Sequence, residues 1–324
     1  MEIRTSQDKK RPEEPSLTES VKLTDILEDD EAFIGFTAGT GGSFSQHEIL
    51  VWKFRERFHP IHSINPNTKG NSWRFQPGDS FQDSLKNGNL GPEMVVIPKG
   101  TFYQGEQHKK VKIEQRFAMG RYEVTVAEFN QFVEATGYQT DAEKGNGCIT
   151  WESNNRQWNV VKELNWRHPD FLEHNHPVVC VSWNDATAYA NWLTEQTGQQ
   201  YRLPTEVEWE YAARGKTKTD YWWGTEIKPW WSFWCNHNAN CWNCDSRWDK
   251  KTAPVTSLNL NPFGLSGTLG NVWEWTNSEY DVPEHKTYRG GSFNSDAKEL
   301  RYFTRHGKVP TSANENRGMR LVRE

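Results

Sequence analysis

The chain has 324 residues, of which 43 are acidic and 38 basic, and its formal net charge is -5. That balance gives no indication of binding to nucleic acid or to an anionic membrane. Only 35% of the residues are hydrophobic, yet there are 17 Trp, 16 Phe and 10 Tyr, so we expect a core of aromatic rings beneath polar loops. No run approaches the roughly 20 apolar residues of a membrane helix. The N-terminus has no apolar stretch of the signal-peptide kind, so the default expectation is a cytoplasmic protein.

The first 79 residues predict a short β segment and a linker. Two apolar runs, at residues 32–37 and 48–54, flank the turn-rich residues 39–43 and are typical of two strands joined by a loop. The polar residues 1–31 read as a loop or tail. We therefore place a β segment at 1–54, a linker at 55–79 and the main domain at 80–324.

Three helices are predicted in the main domain by capping boxes, in which a Ser or Thr side chain accepts a hydrogen bond from a free N–H of the first turn. They run from Thr125 to Gly137, from Ser182 to Gly198 and from Thr205 to Gly215. A buried strand is expected at residues 94–97, and short strands among long loops are expected from 216 to the end. This pattern indicates an α+β fold with little regular structure.

The five cysteines are Cys148, Cys180, Cys235, Cys241 and Cys244. An odd number of cysteines in a long chain argues against a disulfide framework. Together with His237, the last three offer the four nitrogen and sulfur ligands that suit tetrahedral Zn²⁺. Their spacing is tighter than in the usual paired zinc pattern, so zinc, a local disulfide and free thiols all stay open.

Four residues around the third helix, Arg202, Glu208, Glu210 and Arg214, carry charges that could suggest catalysis. A structural network is the better interpretation, because arginine and glutamate at these spacings can tie the helix to the loop before it. We therefore predict buried ion pairs here and assign no catalytic residue.

Several segments of the main domain, taken in chain order, resemble the formylglycine-generating-enzyme (sulfatase-modifying-factor) family. They lie at residues 91–102, 122–125, 176–183, 201–215, 252–255, 261–265, 270–275, 289–292 and 318–321. The most telling is 201–215, which includes the third capping box. The resemblance covers residues 80–324 and implies a C-type-lectin-like fold of low regular-structure content.

The family's oxidases bind Cu(I) through two cysteines soon after a Gly-Gly-Ser strand, because soft thiolates suit this ion. In this chain residues 289–292 are the expected framework strand, the first of those cysteines falls on Ser295, and the second falls between Ala297 and Leu300. No cysteine occurs after Cys244. A hydroxyl cannot replace a thiolate for Cu(I), so we expect no copper and no copper-dependent formylglycine synthesis.

Related members of the family are non-haem iron enzymes whose iron-binding histidines lie in a separate helical domain. The first 90 residues here show no such helices. This difference argues against an iron enzyme of that kind as well, and a divergent oxidoreductase of another chemistry stays as an alternative function.

The family resemblance also implies two Ca²⁺ sites built from carbonyl and carboxylate oxygens, the ligands that hard cations prefer. The first is predicted at Asn240, the carbonyl of Cys241, and Asp245 or Asp249. The second is predicted at the carbonyls of Gly270 and Val272 and the carboxylate of Glu274. Gly267 stands where the family often has an Asn or Asp ligand, so the second site lacks that ligand. The alternative for Glu274 is a structural carboxylate that accepts hydrogen bonds from loop amides.

A second resemblance concerns the N-terminal segment. Residues 31–42 and 47–54 look like the last strands of a legume-type lectin. The lectin's sugar- and metal-binding residues lie mostly upstream of these strands, so none is carried over. A hairpin alone is marginal in water, which suggests a relic or the end of a longer protein. An ordinary hairpin on the main domain is the alternative.

The segment from residue 293 to 316 is the candidate ligand surface, because its mixture of polar and single aromatic residues is typical of a binding face. Arg301 and Arg305 are excluded as expected buried structural residues. The same fold carries the variable tails of diversity-generating retroelement proteins, and the layout here resembles theirs. We predict a binding module for a protein or glycan, and the alternatives are an oxidoreductase or an accessory domain of a truncated protein. The predicted contact residues are Phe293, Asn294, Asp296, Tyr302, Phe303 and His306.

Overall fold

The computed structural model describes residues 2–3, 17–18, 62–64, 75–152, 156–171, 173–227, 237–242, 244, 248 and 250–324. The chain divides into two compact units, residues 1–55 and 56–324. In the first unit, strand β1 (Glu2–Ile3) pairs antiparallel with β2 (Leu17–Thr18). The strands predicted at 32–37 and 48–54 lie outside the described residues.

The three helices predicted for the second unit are confirmed. They are α1 (Val126–Thr136), α2 (Trp183–Thr197) and α3 (Glu206–Arg214), and each begins with a complete capping box. Each is followed by a glycine in the left-handed region, with φ of 66°, 70° and 56°. A residue without Cβ adopts this conformation at little cost, which is why glycine ends all three helices.

The strands of the second unit form two sheets and two separate hairpins. One sheet has six strands in the order β11-β16-β8-β5-β4-β3, and the other has four in the order β14-β13-β12-β15. The hairpins are β6–β7 and β9–β10. The strand bounds are β3 His62–Ile64, β4 Ser80–Asp83, β5 Met94–Ile97, β6 Gly100–Gln104, β7 Lys109–Ile113, β8 Phe117–Gly120, β9 Cys148–Glu152, β10 Gln157–Val161, β11 Tyr201–Arg202, β12 Trp273–Glu279, β13 Lys286–Arg289, β14 Arg305–Lys308, β15 Arg317–Met319 and β16 Val322–Arg323. The α+β class and the buried strand at 94–97 are confirmed.

Aromatic rings fill the main core, as the composition indicates. Phe129 on α1 meets the ring of Trp166 edge to face, with centroids 5.2 Å apart, and lies 5.8 Å from the ring of Tyr189 on α2. All three side chains are buried. Edge-to-face pairs of this kind add to the free energy gained by burying apolar surface. No helix in the described part of the chain is long and apolar enough to cross a bilayer.

The strand predicted at residues 289–292 ends earlier than expected. Strand β13 stops at Arg289, and Gly290 and Gly291 follow with φ of 100° and 78°. A Cβ on Gly290 would lie 3.0 Å from the indole of Trp209 and 3.0 Å from the carbonyl oxygen of Thr268. The two glycines therefore form a tight turn against α3, so the prediction of a continuous strand was wrong.

Two disulfides are present, and they change the interpretation of the cysteines. Cys148 is bonded to Cys180, and Cys241 is bonded to Cys244. The prediction against a disulfide framework was wrong, because the tertiary fold brings together two buried cysteines that are 32 residues apart. Cys235 lies outside the described residues.

Candidate functional site

The positions of the two missing copper ligands lie in a packed, polar corner after β13. Ser295 is 2% exposed, and its hydroxyl lies 3.2 Å from the hydroxyl of Ser292. Leu300 is fully buried in a cluster with Trp209 and Tyr302. The second position falls between Ala297 and Leu300, where the residues are Ala, Lys, Glu and Leu. Neither these side chains nor the Ser295 hydroxyl is a soft thiolate donor, so the residues at the two positions do not fit Cu(I).

Two of the six predicted ligand contacts are buried. Tyr302 is inaccessible, with the guanidinium of Arg214 4.6 Å from its ring centroid, and its carbonyl accepts a hydrogen bond from Arg289. Phe293 is buried as well, and its N–H donates to the carbonyl of Asn271. Predicting these two as surface contacts was wrong. In a segment poor in aliphatic residues, single aromatic rings anchor the chain to the core.

Asn294 and Asp296 remain accessible. Asn294 is half-buried, and its amide oxygen accepts hydrogen bonds from the Ser292 hydroxyl at 2.7 Å and from the Asn316 amide at 3.0 Å. Asp296 is exposed, and its Oδ1 accepts from the N–H of Lys298 at 2.8 Å. Both side chains are thus held in place by local hydrogen bonds while part of each faces solvent.

Phe303 and His306 are half-buried, and so are the two arginines that we excluded. Arg301 pairs with Asp220 at 3.3 Å, and its side chain is 38% exposed. Arg305 is 33% exposed and pairs with acidic residues, as described below. The expectation that both arginines are buried was wrong. Their partners Asp220 and Asp281 have side chains that are 41% and 74% exposed, and only Glu206, at 14%, is largely buried.

One face of the four-stranded sheet gathers aromatic rings and one cation beside this segment. Trp275 on β12, Tyr288 on β13 and His306 on β14 are register partners across the strands, and Trp273 lies two positions before Trp275 on the same face of β12. The His306 ring centroid lies 5.0 Å from that of Trp273 and 5.8 Å from that of Tyr288. Arg317 on β15 lies against the same rings, and sequence reasoning missed it.

The network predicted around α3 is confirmed and is larger than expected. Arg202 makes two 2.8 Å hydrogen bonds to Glu208, and Arg214 pairs with Glu210 at 2.9 Å. Buried Arg289 joins them, with one Nη 2.9 Å from Glu210. The charges therefore fasten α3 to β13, which supports the structural interpretation.

The second predicted calcium site does not fit the contacts of its carboxylate. Buried Glu274 accepts hydrogen bonds from the Arg320 guanidinium at 2.7–3.1 Å and from the Trp209 indole at 2.7 Å. Both carboxylate oxygens are engaged. Glu274 was predicted as a calcium ligand together with the carbonyls of Gly270 and Val272. Its contacts instead support the alternative, a structural carboxylate.

Glu123 fills the place of the calcium ligand that Gly267 lacks. A Cβ on Gly267 would lie 2.6 Å from Glu123 Oε1, which accepts a hydrogen bond from the Asn271 amide at 2.9 Å. Burial raises the pKa of Glu123 from its usual 4.5 to about 7; nearby Glu274 raises this pKa as well, while Arg320 lowers it. This pair of carboxylates around one guanidinium had no signal in the sequence.

The raised pKa of Glu123 predicts a pH dependence of stability. The folded state holds an extra proton between about pH 4.5 and 7, so the free energy of unfolding should rise as pH falls through this range. Glu123→Gln mimics the protonated side chain and should remove this contribution, which we expect to be about 1–2 kcal/mol between pH 7.5 and 5.5. Urea denaturation of both proteins at the two pH values measures it. Identical pH dependence in the two proteins would contradict the assignment.

The first predicted calcium site is only partly described. Asn240 is buried, its amide donates to the carbonyl of Lys251 at 2.8 Å, and its Oδ1 has no hydrogen-bond partner. That orphaned oxygen suits a hard cation. Asp245 and Asp249 lie outside the described residues. Calcium here stays a prediction, which thermal melting with and without a chelator tests.

The zinc alternative was wrong for the described cysteines. The sulfur atoms of Cys241 and Cys244 are bonded to each other, so neither is a thiolate ligand, and the local disulfide is confirmed. Within the described ranges, no group of three or more His, Cys, Asp and Glu residues is placed to hold a metal ion.

Comparison with known proteins finds similarity along most of the chain. Residues 80–324 match the family model "Sulfatase-modifying factor enzyme 1-like domain", and residues 1–70 match the model of the legume lectin domain. A formylglycine-generating enzyme of Bos taurus is 31% identical over 319 residues, covering 79% of this chain and 83% of the bovine protein. An inactive C-alpha-formylglycine-generating enzyme 2 of Bos taurus is 32% identical over 278 residues, covering 71% and 87%. The structure of PvdO from Pseudomonas aeruginosa matches with a TM-score of 0.61 and 26% identity, covering 77% of this chain and 99% of PvdO.

Proposed function

Because this chain belongs to the sulfatase-modifying factor enzyme 1-like family but has no cysteine where the family's copper oxidases need two, we propose that it is a binding protein. Its C-terminal segment, residues 293–316, would contact a protein or glycan ligand. The observation that carries the proposal is Ser295, a buried hydroxyl next to Ser292 at the first copper position. A bovine relative whose name marks it as inactive supports a non-catalytic role within this family.

The contact surface that we propose consists of Asn294, Asp296, Phe303 and His306, the four predicted residues that keep an accessible part. Asp296 holds the N–H groups of the following turn, and Asn294 is tied to Asn316, so both polar groups are presented at fixed positions. Fixed polar groups beside half-exposed rings lose little conformational entropy on binding, which favours affinity.

Alanine replacement of these four residues should strongly weaken ligand capture. On glycan and peptide arrays we expect the fluorescent signal of the wild-type protein on its preferred features to fall at least about tenfold in the quadruple variant. Loss of a single central hot-spot contact costs about 2 kcal/mol or more, and about 1.4 kcal/mol is already tenfold in affinity. The matched control replaces the exposed Lys109 and Lys110 of the β7 hairpin strand with alanine and should bind as the wild type does. Unchanged capture by the quadruple variant would contradict the proposal.

An oxidoreductase is the second candidate, and one observation favours it. The Cys241–Cys244 disulfide packs in the same buried cluster as Leu300 and Tyr302, and the N–H of Trp242 donates to the carbonyl of Ser295 at 3.0 Å. A sulfur pair capable of redox change therefore lies beside the position of the missing copper ligands.

A peptide assay tests the copper-dependent form of the oxidoreductase candidate. A peptide with the sulfatase Cys-x-Pro-x-Arg motif is incubated with the protein, Cu(I) and oxygen, and its mass is followed. We expect no change, because Ser295 and residues 297–300 give copper no thiolate. A formylglycine-generating enzyme serves as the positive control. The mass loss that marks conversion of the thiol to an aldehyde would favour the oxidoreductase.

A further inference from the structure

The turn that carries Asp296 is held on both sides by aromatic residues that are distant in the sequence. On one side, the N–H of Trp242 donates to the carbonyl of Ser295 at 3.0 Å. On the other side, the hydroxyl of Tyr221 donates to the carbonyl of Ala297 at 2.6 Å. Both hydrogen bonds reach the residues directly next to Asp296, which therefore lies between two aromatic segments.

Trp242 is the most exposed tryptophan in the described part of the chain, at 55%. Cys241 and Cys244 are bonded to each other and are buried in the cluster that contains Leu300. The disulfide anchors the backbone before and after Trp242, and the hydrogen bond to Ser295 fixes it against the turn. An indole on such a backbone offers a large contact area at a low cost in conformational entropy.

A second indole lies on the other side of the turn. Trp223 is half-buried, and its ring stacks on that of Tyr221 with centroids 5.1 Å apart and planes 13° from parallel. Its Nε1 donates to the carbonyl of Glu226 at 3.2 Å, which fixes the ring. Single exposed apolar side chains are common on protein surfaces, but fixed rings on both sides of one polar turn are typical of a binding surface.

Beside these rings the turn offers a hydrogen-bond donor and an acceptor. Asp296 uses Oδ1 to accept from the N–H groups of Lys298 and Glu299, at 2.8 and 3.1 Å, while its Oδ2 accepts from none of the described residues. The amide oxygen of Asn294 accepts two hydrogen bonds, while its amide nitrogen donates to none of the described residues. Asp296 is exposed and Asn294 is half-buried, so both groups can meet a ligand.

We infer that the ligand of this surface is a neutral carbohydrate and that Trp242 is the face on which a sugar ring stacks. The C–H face of a sugar ring is apolar and packs on an indole. Each sugar hydroxyl both donates and accepts, so neighbouring hydroxyls match the amide nitrogen of Asn294 and the carboxylate of Asp296 together. The inference rests on the proposed binding role of residues 293–316 and names the chemical class of the ligand.

An organic cation is the competing ligand, because rings and a carboxylate also attract an ammonium group. Such a cation would leave the amide donor of Asn294 without a role. It would also meet the like charge of Lys298, which is exposed two positions after Asp296. These two observations favour the sugar.

Glycan and peptide arrays, probed with the full chain, test the class of the ligand. We expect capture on glycan features and none above background on peptide features. Trp242→Ala should lower the glycan signal at least about tenfold, which corresponds to about 1.4 kcal/mol. Trp242→Phe keeps an aromatic face and should lose less than about threefold. The control is Tyr103→Ala on β6, which removes a ring that is 47% exposed and should bind as the wild type does.

Variants of Asp296 separate a sugar from a cation. Asp296→Asn keeps an oxygen for the turn and a polar group for a sugar hydroxyl, but it has no charge. Its glycan signal should therefore fall less than that of Asp296→Ala, whereas equal losses would show that the charge is essential and would overturn the inference. Thermal melting checks that the variants fold. If Trp242→Ala melts lower than the wild type, Trp242→Phe and the two Asp296 variants still decide the matter.

Failure of this inference is distinguishable from failure of the proposed function. Capture on peptide features that depends on Asn294, Asp296, Phe303 and His306 would leave the binding role standing and overturn the carbohydrate. Glycan capture that survives Trp242→Ala would overturn the stacking role. A glycan signal that needs Trp242 but survives in the quadruple variant would support the sugar and contradict the proposed contact surface. Absence of capture on both arrays would contradict both proposals.

Discussion

Arg320→Met is expected to lower the free energy of unfolding by about 3–5 kcal/mol, the usual effect of removing one partner of a buried ion pair. Arg320 is fully buried and pairs with Glu274 at 2.7 Å. It also donates to the carbonyls of Gly120, Arg121 and Ser266. The variant therefore leaves the carboxylates of Glu274 and Glu123 without their shared counter-ion and removes the hydrogen bonds that three backbone carbonyls accept from the guanidinium. Urea denaturation followed by tryptophan fluorescence measures the loss.

Arg305→Met is the matched control for this experiment. Arg305 pairs with Glu206 at 2.9 Å and with Asp281 at 3.1 Å, but its side chain is 33% exposed. Solvent screens such pairs, so we expect a loss of about 0–1 kcal/mol. The double variant Arg320→Met, Glu274→Gln should recover part of the stability lost by Arg320→Met, because one of the two unpaired carboxylates is then neutral. Equal losses for the two single variants would show that burial does not decide the strength of these pairs.

Features whose partners lie close together in the sequence, such as the helix starts, could be predicted because their hydrogen bonds form between neighbouring residues. A capping box at Thr125, Ser182 or Thr205 closes within three residues, so its hydrogen bonds depend on little else in the chain. The paired Arg202 and Glu208 lie six positions apart and were predicted for the same reason.

Features that depend on distant partners could not be predicted in this way. Glu274 and Arg320 are 46 residues apart, and Glu123 and Asn271 are 148 apart, so only the folded chain shows that they meet. Glu274, which was predicted as a calcium ligand, is the partner of Arg320. The buried Arg317 went unnoticed because nothing in the sequence separates it from the paired Arg320 three positions later.

The candidate surface illustrates the same limit at the level of single rings. Phe293, Tyr302 and Phe303 have similar sequence surroundings, yet the first two are buried and the third is half-exposed. Tyr302 and Phe303 are adjacent, yet only the side chain of Tyr302 packs against residues of α3. Tyr302 packs under the guanidinium of Arg214 and in the same buried cluster as Trp209, both on α3, whereas Phe303 does not belong to that cluster.

Removing the Cys148–Cys180 disulfide is the other change with a large expected effect. Its cysteines are 32 residues apart, and closing a loop of this length restricts the unfolded chain by about 4 kcal/mol. The double variant Cys148→Ala, Cys180→Ala should lose about that much stability in urea denaturation. The control is Cys241→Ala, Cys244→Ala, whose loop spans only three positions and should cost about 2 kcal/mol.

The position of this disulfide also links it to the candidate surface. The N–H of Cys180 donates to the carbonyl of Asn314, and the N–H of Ile149, next to Cys148, donates to the carbonyl of Ala313. Both halves of the bridge therefore hold the last residues of the segment that we propose as the ligand surface. In the Cys148→Ala, Cys180→Ala variant we expect faster hydrogen exchange at these two amides than in the Cys241→Ala, Cys244→Ala control. Equal stability losses and equal exchange rates in the two variants would contradict both expectations. The Cys148–Cys180 disulfide would then stabilise the protein no more than the Cys241–Cys244 disulfide does.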